Sequence, residues 1–342
     1  MTPVTPPTQK RIGQLDGLRA CAILAVFLHH SMGYKSTWMG VDLFFILSGF
    51  LITGILLSKK KDRMSSYFAS FYGKRVRRIL PPYLLLLLVA SAVFGTWWYR
   101  YWYMYFGATN FFQMLNLPQP EALGPLWSLA VEEQFYFVWP FVIFFCKEVW
   151  VARCAVFLIV LAPVLRVVCT PLFLDTLPIY TGTPFRMDLL ASGALVAIVW
   201  RKRRQVVEVW GRYGLVLAAL GFAGFELTQK FAHLYQASNT RWSNLLIYEW
   251  SLVICLGVFL WALSGWKVGI LEWTPLKYIG RISYSMYLIH ELVIDVLVPR
   301  FGNFTVKTTL IAFMISTAYA ALSWHFIEKP IISTGAHESI SR

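Results

Sequence analysis

Charge is what this sequence has least of. Asp, Glu, Lys and Arg make up only 14% of its 342 residues, against 58% hydrophobic, and the mean hydropathy is +0.58. No globule of this length has interior enough for so much apolar surface, which excludes a soluble protein. Acidic residues are scarcest: 17 Asp and Glu against 31 Lys and Arg leave a formal net charge of +14. The basic residues cluster between apolar runs, where the positive-inside rule accounts for them, so no nucleic acid is expected as a partner. Cysteine is sparse, with Cys21, Cys146, Cys154, Cys169 and Cys255 lying in or beside apolar segments. Their odd number and the lack of CxxC spacing or an accompanying His cluster argue against a disulfide framework and a thiolate metal centre, and no metal is expected. Also missing are an internal repeat, a low-complexity linker and a second soluble domain. The opening MTPVTPPTQK is polar and Pro-rich with no cleavage pattern after an apolar core, so no leader is expected to be removed.

What the chain does have is long apolar runs. At about 20 residues per crossing, helices are expected near 16–34, 39–57, 80–98, 125–146, 151–170, 186–200, 212–228, 245–263, 282–299 and 305–326. This predicts an all-α membrane protein, a bundle of about ten transmembrane helices embedded in a lipid bilayer. A cytoplasmic N-terminus puts Lys59, Lys60, Lys61, Arg63, Lys74, Arg75, Arg77 and Arg78 on the same side as Arg201, Lys202, Arg203, Arg204 and Arg212, and makes both termini cytoplasmic. The expected division is a polar tail over 1–10, one membrane domain over 11–332 and a second tail over 333–342. Segment 99–124, aromatic and polar by turns, suits an interfacial element on the outer side; Trp97, Trp98, Tyr99, Tyr101, Trp102, Tyr103 and Tyr105 supply rings for sugar stacking or an interfacial belt.

Ionisable groups inside such runs are functional suspects. The first run, LDGLRACAILAVFLHH over Leu15–His30, carries Asp16, Arg19, His29 and His30. At about 100° per residue Arg19 and His30 fall about 20° apart around the axis and about 16 Å apart along it, while His29 points elsewhere. One face thus holds a cation near one membrane surface and a titratable base toward the other. WSLAVEEQFYFVWP places Glu132 and Glu133 in the fourth run, with Glu132 sharing a stripe with Ser128 and Phe135 at a depth comparable to His30. Asp42 opens the second run, and Arg75 and Arg78 close the loop before the third. Each has a structural alternative: an interhelical hydrogen bond for the histidines, His290 and His325 included, and topology determination for the arginines.

Seven segments in order, LDGLRACAILAVFLHH, GVDLFFILSGFLIT, FYGKRVRRILPPY, LWSLAVEEQFYFVWP, RMDLLASGALVAI, IGRISYSMYLIH and HFIEKP, resemble the motifs of the acyltransferase-3 family of membrane acyltransferases. The resemblance spans roughly Arg11 to Ile332. It implies transfer of an acetyl or other short acyl group from cytoplasmic acyl-CoA, with acetyl-CoA the expected donor, to a hydroxyl of a sugar, glycan or glycosylated metabolite outside a bacterial inner membrane. By resemblance the family histidine falls on His30, its partner arginine on Arg19, the paired arginines on Arg75 and Arg78, and the motif glutamate on Glu132.

The residues suit that chemistry. Arginines at a helix end make charge-assisted contacts to phosphate. A pantetheine arm of about 15–20 Å reaches from Arg19 toward His30. His30 is then either a general base oriented by Glu132 or Asp42, or a nucleophile carrying the acyl group. Some relatives in the family carry a fused C-terminal esterase-like domain; this sequence shows none, so the chain is expected to act alone or with a separate extracytoplasmic partner. The competing reading is a transporter or flippase, which ordinarily brings repeats and paired interrupted helices; neither is found.

Overall fold

A computed structural model describes residues 12–95, 104, 107–303 and 305–337. Among them thirteen α-helices and no strand are found: α1 Gly13–Met32, α2 Met39–Ser58, α3 Met64–Phe94, α4 Thr109–Met114, α5 Leu126–Phe145, α6 Glu148–Cys169, α7 Leu177–Thr181, α8 Met187–Gly211, α9 Gly214–Ala232, α10 Arg241–Ser264, α11 Thr274–Phe301, α12 Val306–Ser323 and α13 Lys329–His337. The chain is an all-α, multi-pass membrane protein. By length and composition, eight helical segments among the described residues suffice to cross a bilayer. The remaining two of the ten expected runs, α1 and α8, are 20 and 25 residues long but more polar, α1 through Asp16, Arg19 and two histidines and α8 through Asp188 and its run of basic residues. The aromatic cluster from Trp97 to Tyr103, with Tyr105, lies outside the described residues.

The third helix differs from its expected range. It begins at Met64 rather than near 80, so Arg75 and Arg78 stand on a helix rather than in a loop. The cause is aromatic packing. Tyr67, Phe68, Phe71 and Tyr72 recur at helical spacing, and the first two lie against Phe144 of α5. Tyr67 and Tyr72 also donate to the α5 carbonyls of Pro140 and Phe137. Pro81 and Pro82 sit inside this helix without ending it.

Two close crossings set the centre of the bundle. A Cβ on Gly280 of α11 would strike the carbonyl oxygen of Asp16 in α1, and one on Gly17 would strike that of Leu271. In the same way Gly193 of α8 faces the Ile46 carbonyl of α2, and Gly49 faces that of Leu190. Small residues let backbones approach where lipid supplies no hydrophobic drive between helices. Both pairs run parallel: Asp16 meets Gly280 and His30 meets His290, while Asp42 meets Arg186 and Phe50 meets Trp200. Around this centre α3, α6, α9 and α12 turn out side chains such as Leu88, Phe157, Leu220 and Met314, as a lipid-facing surface requires. One end of the bundle gathers Lys59–Lys61, Lys147 and Arg201–Arg204; the other gathers the α1–α2 loop, α4 and α7. α1 stops at Gly33, whose φ of 68° suits glycine and whose N–H bonds the His29 carbonyl.

Gly193→Val should lower the thermal midpoint in detergent by an amount corresponding to about 3 kcal/mol, because the crossing backbone cannot give way. Gly54→Ala, where a Cβ meets nothing within 4 Å, serves as the control, and equal midpoints would refute the account of the crossing.

Candidate functional site

The α1 and α11 crossing delivers His30 onto His290. His30 Nδ1 lies 3.2 Å from His290 Nε2 and 3.0 Å from the carbonyl oxygen of Val26 one turn back. His290 is fully buried, and its Nδ1 lies 2.6 Å from the Tyr287 carbonyl oxygen. Glu291 Oε2 stands 3.7 Å from His30 Nδ1 and 3.9 Å from His290 Nε2 and makes no hydrogen bond. That carboxylate is placed to offset positive charge on either ring. His29, whose ring lies edge-on to that of His30 with centroids 5.0 Å apart, bonds not to the pair but to the Tyr34 carbonyl through Nδ1 at 3.0 Å.

His30, His290 and Glu291 offer three ligand-type atoms within 4.8 Å of one another. Metal ligation would need a lone pair on His30 Nδ1, yet that nitrogen faces the Val26 carbonyl, which can only accept a hydrogen bond. The cluster therefore fits a hydrogen-bonded imidazole pair with a nearby carboxylate better than a three-ligand metal site.

Toward the basic end lies a cavity of about 840 Å³. Arg19 of α1, Arg75 and Arg78 of α3, Arg201 and Arg204 of α8 and Arg281 of α11 line it. The spacing of three residues puts Arg75 and Arg78 on one face of α3. Among the described residues the buried Nε groups of Arg19 and Arg75 have no hydrogen-bond partner, so each guanidinium keeps a donor in reserve. Glu132 lines the same cavity, accepting from Tyr136 Oη at 3.0 Å, and Ser48 bonds the same Tyr136 hydroxyl. Glu133, by contrast, packs over Gly107. The cavity's lining includes Ser128 and Tyr287, whose hydroxyls are 2.5 Å apart, with the Tyr287 hydroxyl donating to the Pro125 carbonyl at 2.9 Å. Tyr287 is also the residue whose carbonyl holds His290, so a single side chain separates the cavity from the histidine pair.

This arrangement departs from the expected partners of His30. Arg19, Arg75, Arg78 and Glu132 do come together, but around the cavity and not around the histidine. Neither Glu132 nor Asp42 hydrogen-bonds His30. Asp42 is instead buried in a separate network, paired with Arg186 and accepting from Ser251 Oγ at 2.6 Å. The rings of Trp38, Phe45, Trp127, Tyr180 and Tyr248 surround Arg186, with centroids 4.9–6.0 Å from its guanidinium carbon. Next to it, fully buried Arg166 pairs with Asp188 at 2.7 Å and with Glu249. Two arginines and three carboxylates thus tie α2, α6, α8 and α10 together. Residues that sequence reasoning left aside are Glu291, Tyr136 and Tyr287. A signal was present, since Tyr287 and His290 stand three apart and Glu291 adds a carboxylate inside an apolar run.

Asp42→Asn removes the counter-charge of a caged cation, and breaking such a pair costs about 3–5 kcal/mol. Yield and thermal midpoint should fall, and Asp42→Asn combined with Arg186→Gln should recover part of the loss, as read by melting curves in detergent. A single variant as stable as wild type would show that the network carries no load.

Comparison with known proteins bears on the bundle as a whole. The family model described as an acyltransferase domain matches residues 12–326. The YrhL protein of Bacillus subtilis is 30% identical over 94% of this chain and 55% of its own length. The peptidoglycan O-acetyltransferase OatA of Listeria monocytogenes is 29% identical over 98% of this chain and 58% of its length, and the O-acetyltransferase OatA of Staphylococcus aureus is 26% identical over 94% and 57%. The chain therefore spans a little over half the length of the curated relatives it matches. No solved structure matches it. With nearly all of its helical bundle covered by that one family model, the chain belongs to the acyltransferase-3 family.

Proposed function

We propose that this chain is a membrane O-acyltransferase that moves an acetyl or other short acyl group from acyl-CoA to a sugar hydroxyl of a peptidoglycan-like glycan on the outer side of the membrane. The observation that carries this reading is the cavity that runs from six arginines to Tyr287, next to the His30–His290 pair. Coenzyme A is polyanionic at its nucleotide end and extended beyond it. The arginine-lined end suits the phosphates, and the spare donors of Arg19 and Arg75 suit phosphate oxygens in particular. By the positive-inside rule that end is cytoplasmic, where acyl-CoA is available. The names of the relatives supply the acceptor class.

In this reading the acceptor hydroxyl gives its proton to His30 as its oxygen attacks the thioester carbonyl carbon. The carbon–sulfur bond breaks, the thiolate leaves and takes up a proton, and an ester remains on the acceptor. Glu132 then belongs with the donor, since with Tyr136 and Ser48 it lines the same cavity as the arginines.

The test is labelled acetyl-CoA added to inverted vesicles that contain the chain, with peptidoglycan fragments inside. Wild type and His29→Ala should label the fragments, whereas His30→Ala should not at equal expression. Movement of fragments across the membrane without labelling would replace the enzyme by a transporter. For the donor end, Arg19→Ala, Arg75→Ala and Arg78→Ala should each raise the donor KM about tenfold or more, with Lys rescuing only partly. Glu132→Gln should likewise alter donor KM more than turnover, and donor affinity unchanged across all four variants would overturn the assignment of the cavity.

A further inference from the structure

The two imidazoles are bonded in a way that fixes which nitrogen of His30 can react. A backbone carbonyl only accepts hydrogen bonds, so His290 Nδ1, 2.6 Å from the Tyr287 oxygen, carries a proton. In the neutral ring His290 Nε2 then has the lone pair. The same rule applied to His30 Nδ1, 3.0 Å from the Val26 oxygen, puts a proton there as well. That proton has two acceptors, the Val26 carbonyl and His290 Nε2 at 3.2 Å. His30 Nε2 is left with its lone pair, and among the described residues it has no hydrogen-bond partner.

From this geometry we infer that His290 is a positioning residue for acyl transfer: by accepting from His30 Nδ1 it holds His30 in one tautomer and one ring orientation, with Nε2 as the reacting nitrogen. The inference rests on the acyl-transfer reading above. It follows the logic of hydrolytic triads, in which a buried acceptor orients the catalytic imidazole without touching substrate. A second imidazole supplies the acceptor here, itself oriented by the Tyr287 carbonyl. Val26 alone cannot fix the ring, because its carbonyl sits on the helix that carries His30, whereas His290 holds it from α11. Glu291 at 3.7 Å adds a charge partner for the ring when it takes the acceptor's proton.

His290→Ala removes the acceptor, and His290→Gln can restore one through its amide oxygen, although Gln can neither titrate nor act as a base. In full-length protein assayed with labelled acetyl-CoA and peptidoglycan fragments, His290→Ala should lower turnover about ten- to a hundredfold, the usual worth of a hydrogen bond to a group that becomes charged. Donor KM should stay within about twofold, because the arginines lie at the other end of the cavity. His290→Gln should return turnover to within about fivefold of wild type.

A second readout needs neither donor nor acceptor. Diethyl pyrocarbonate transfers an ethoxycarbonyl group to an imidazole nitrogen that holds a lone pair, releasing ethanol and carbon dioxide, and mass spectrometry locates the adduct. Modification of His30 should slow several-fold in His290→Ala and recover in His290→Gln. Wild-type turnover in His290→Ala would overturn the inference. So would a His290→Gln variant as inactive as His290→Ala at equal yield and thermal midpoint, since His290 would then be reacting itself. If wild type transfers no label but the order of modification rates holds, the positioning role stands and only the acyl-transfer reading falls.

Discussion

Everything at the candidate site depends on two helix backbones touching. Where α1 crosses α11, Gly280 leaves no room for a side chain against the Asp16 carbonyl, Gly17 leaves none against Leu271 in the short turn before α11, and the two helices run in the same direction from there. A parallel pair fixed at one end keeps its register to the other, so the Asp16–Gly280 contact also determines that His30 arrives beside His290. A larger residue at the crossing would tilt the axes, and a tilt near Gly280 grows along the helix into a shift at the imidazoles. The chemistry is therefore only as well aligned as that distant steric contact.

The second crossing, of α2 with α8, is fastened differently. Gly49 and Gly193 again allow close approach, but the far end is held by charge: Arg186 on Asp42, and Arg166 on Asp188 and Glu249. Inside a bilayer such ions survive only when paired and shielded, and the aromatic cage around Arg186 supplies the shielding. The network joins four helices without contributing a group to the cavity. It builds the wall on which Phe44, Phe45 and Ser48 are mounted.

Much of this was legible from residue spacing. All ten apolar runs correspond to helices, and Arg19, Arg75, Arg78 and Glu132, singled out as ionisable groups in or beside those runs, line one cavity. The start of α3 was hidden because a dense basic cluster reads as a loop, although the Tyr67 to Tyr72 aromatics already carried helical spacing. The partner of His30 was hidden for a different reason. Depth along the membrane normal can be counted from sequence, and it offered Glu132, with Asp42 next, as the partner of His30, while His290 stood apart as a histidine with a structural alternative. Which of them shares an interface with α1 depends on how helices neighbour one another around the bundle, and no count along the chain reports that.

The Tyr287 side of the cavity has a bearing on economy. Ser128 and Tyr287 line it there, bonded to each other and to the Pro125 carbonyl, and the Tyr287 ring packs against His290. A thioester lodged there would face a hydroxyl latch and apolar walls instead of bulk water. An activated acyl group is worth nothing to the cell if it is hydrolysed while no acceptor is present. On the proposed acyl-transfer reading, a barrier at Tyr287 would let the donor wait in the bundle without leaking, and would make opening of that latch, rather than arrival of the donor, the event that commits the group to transfer.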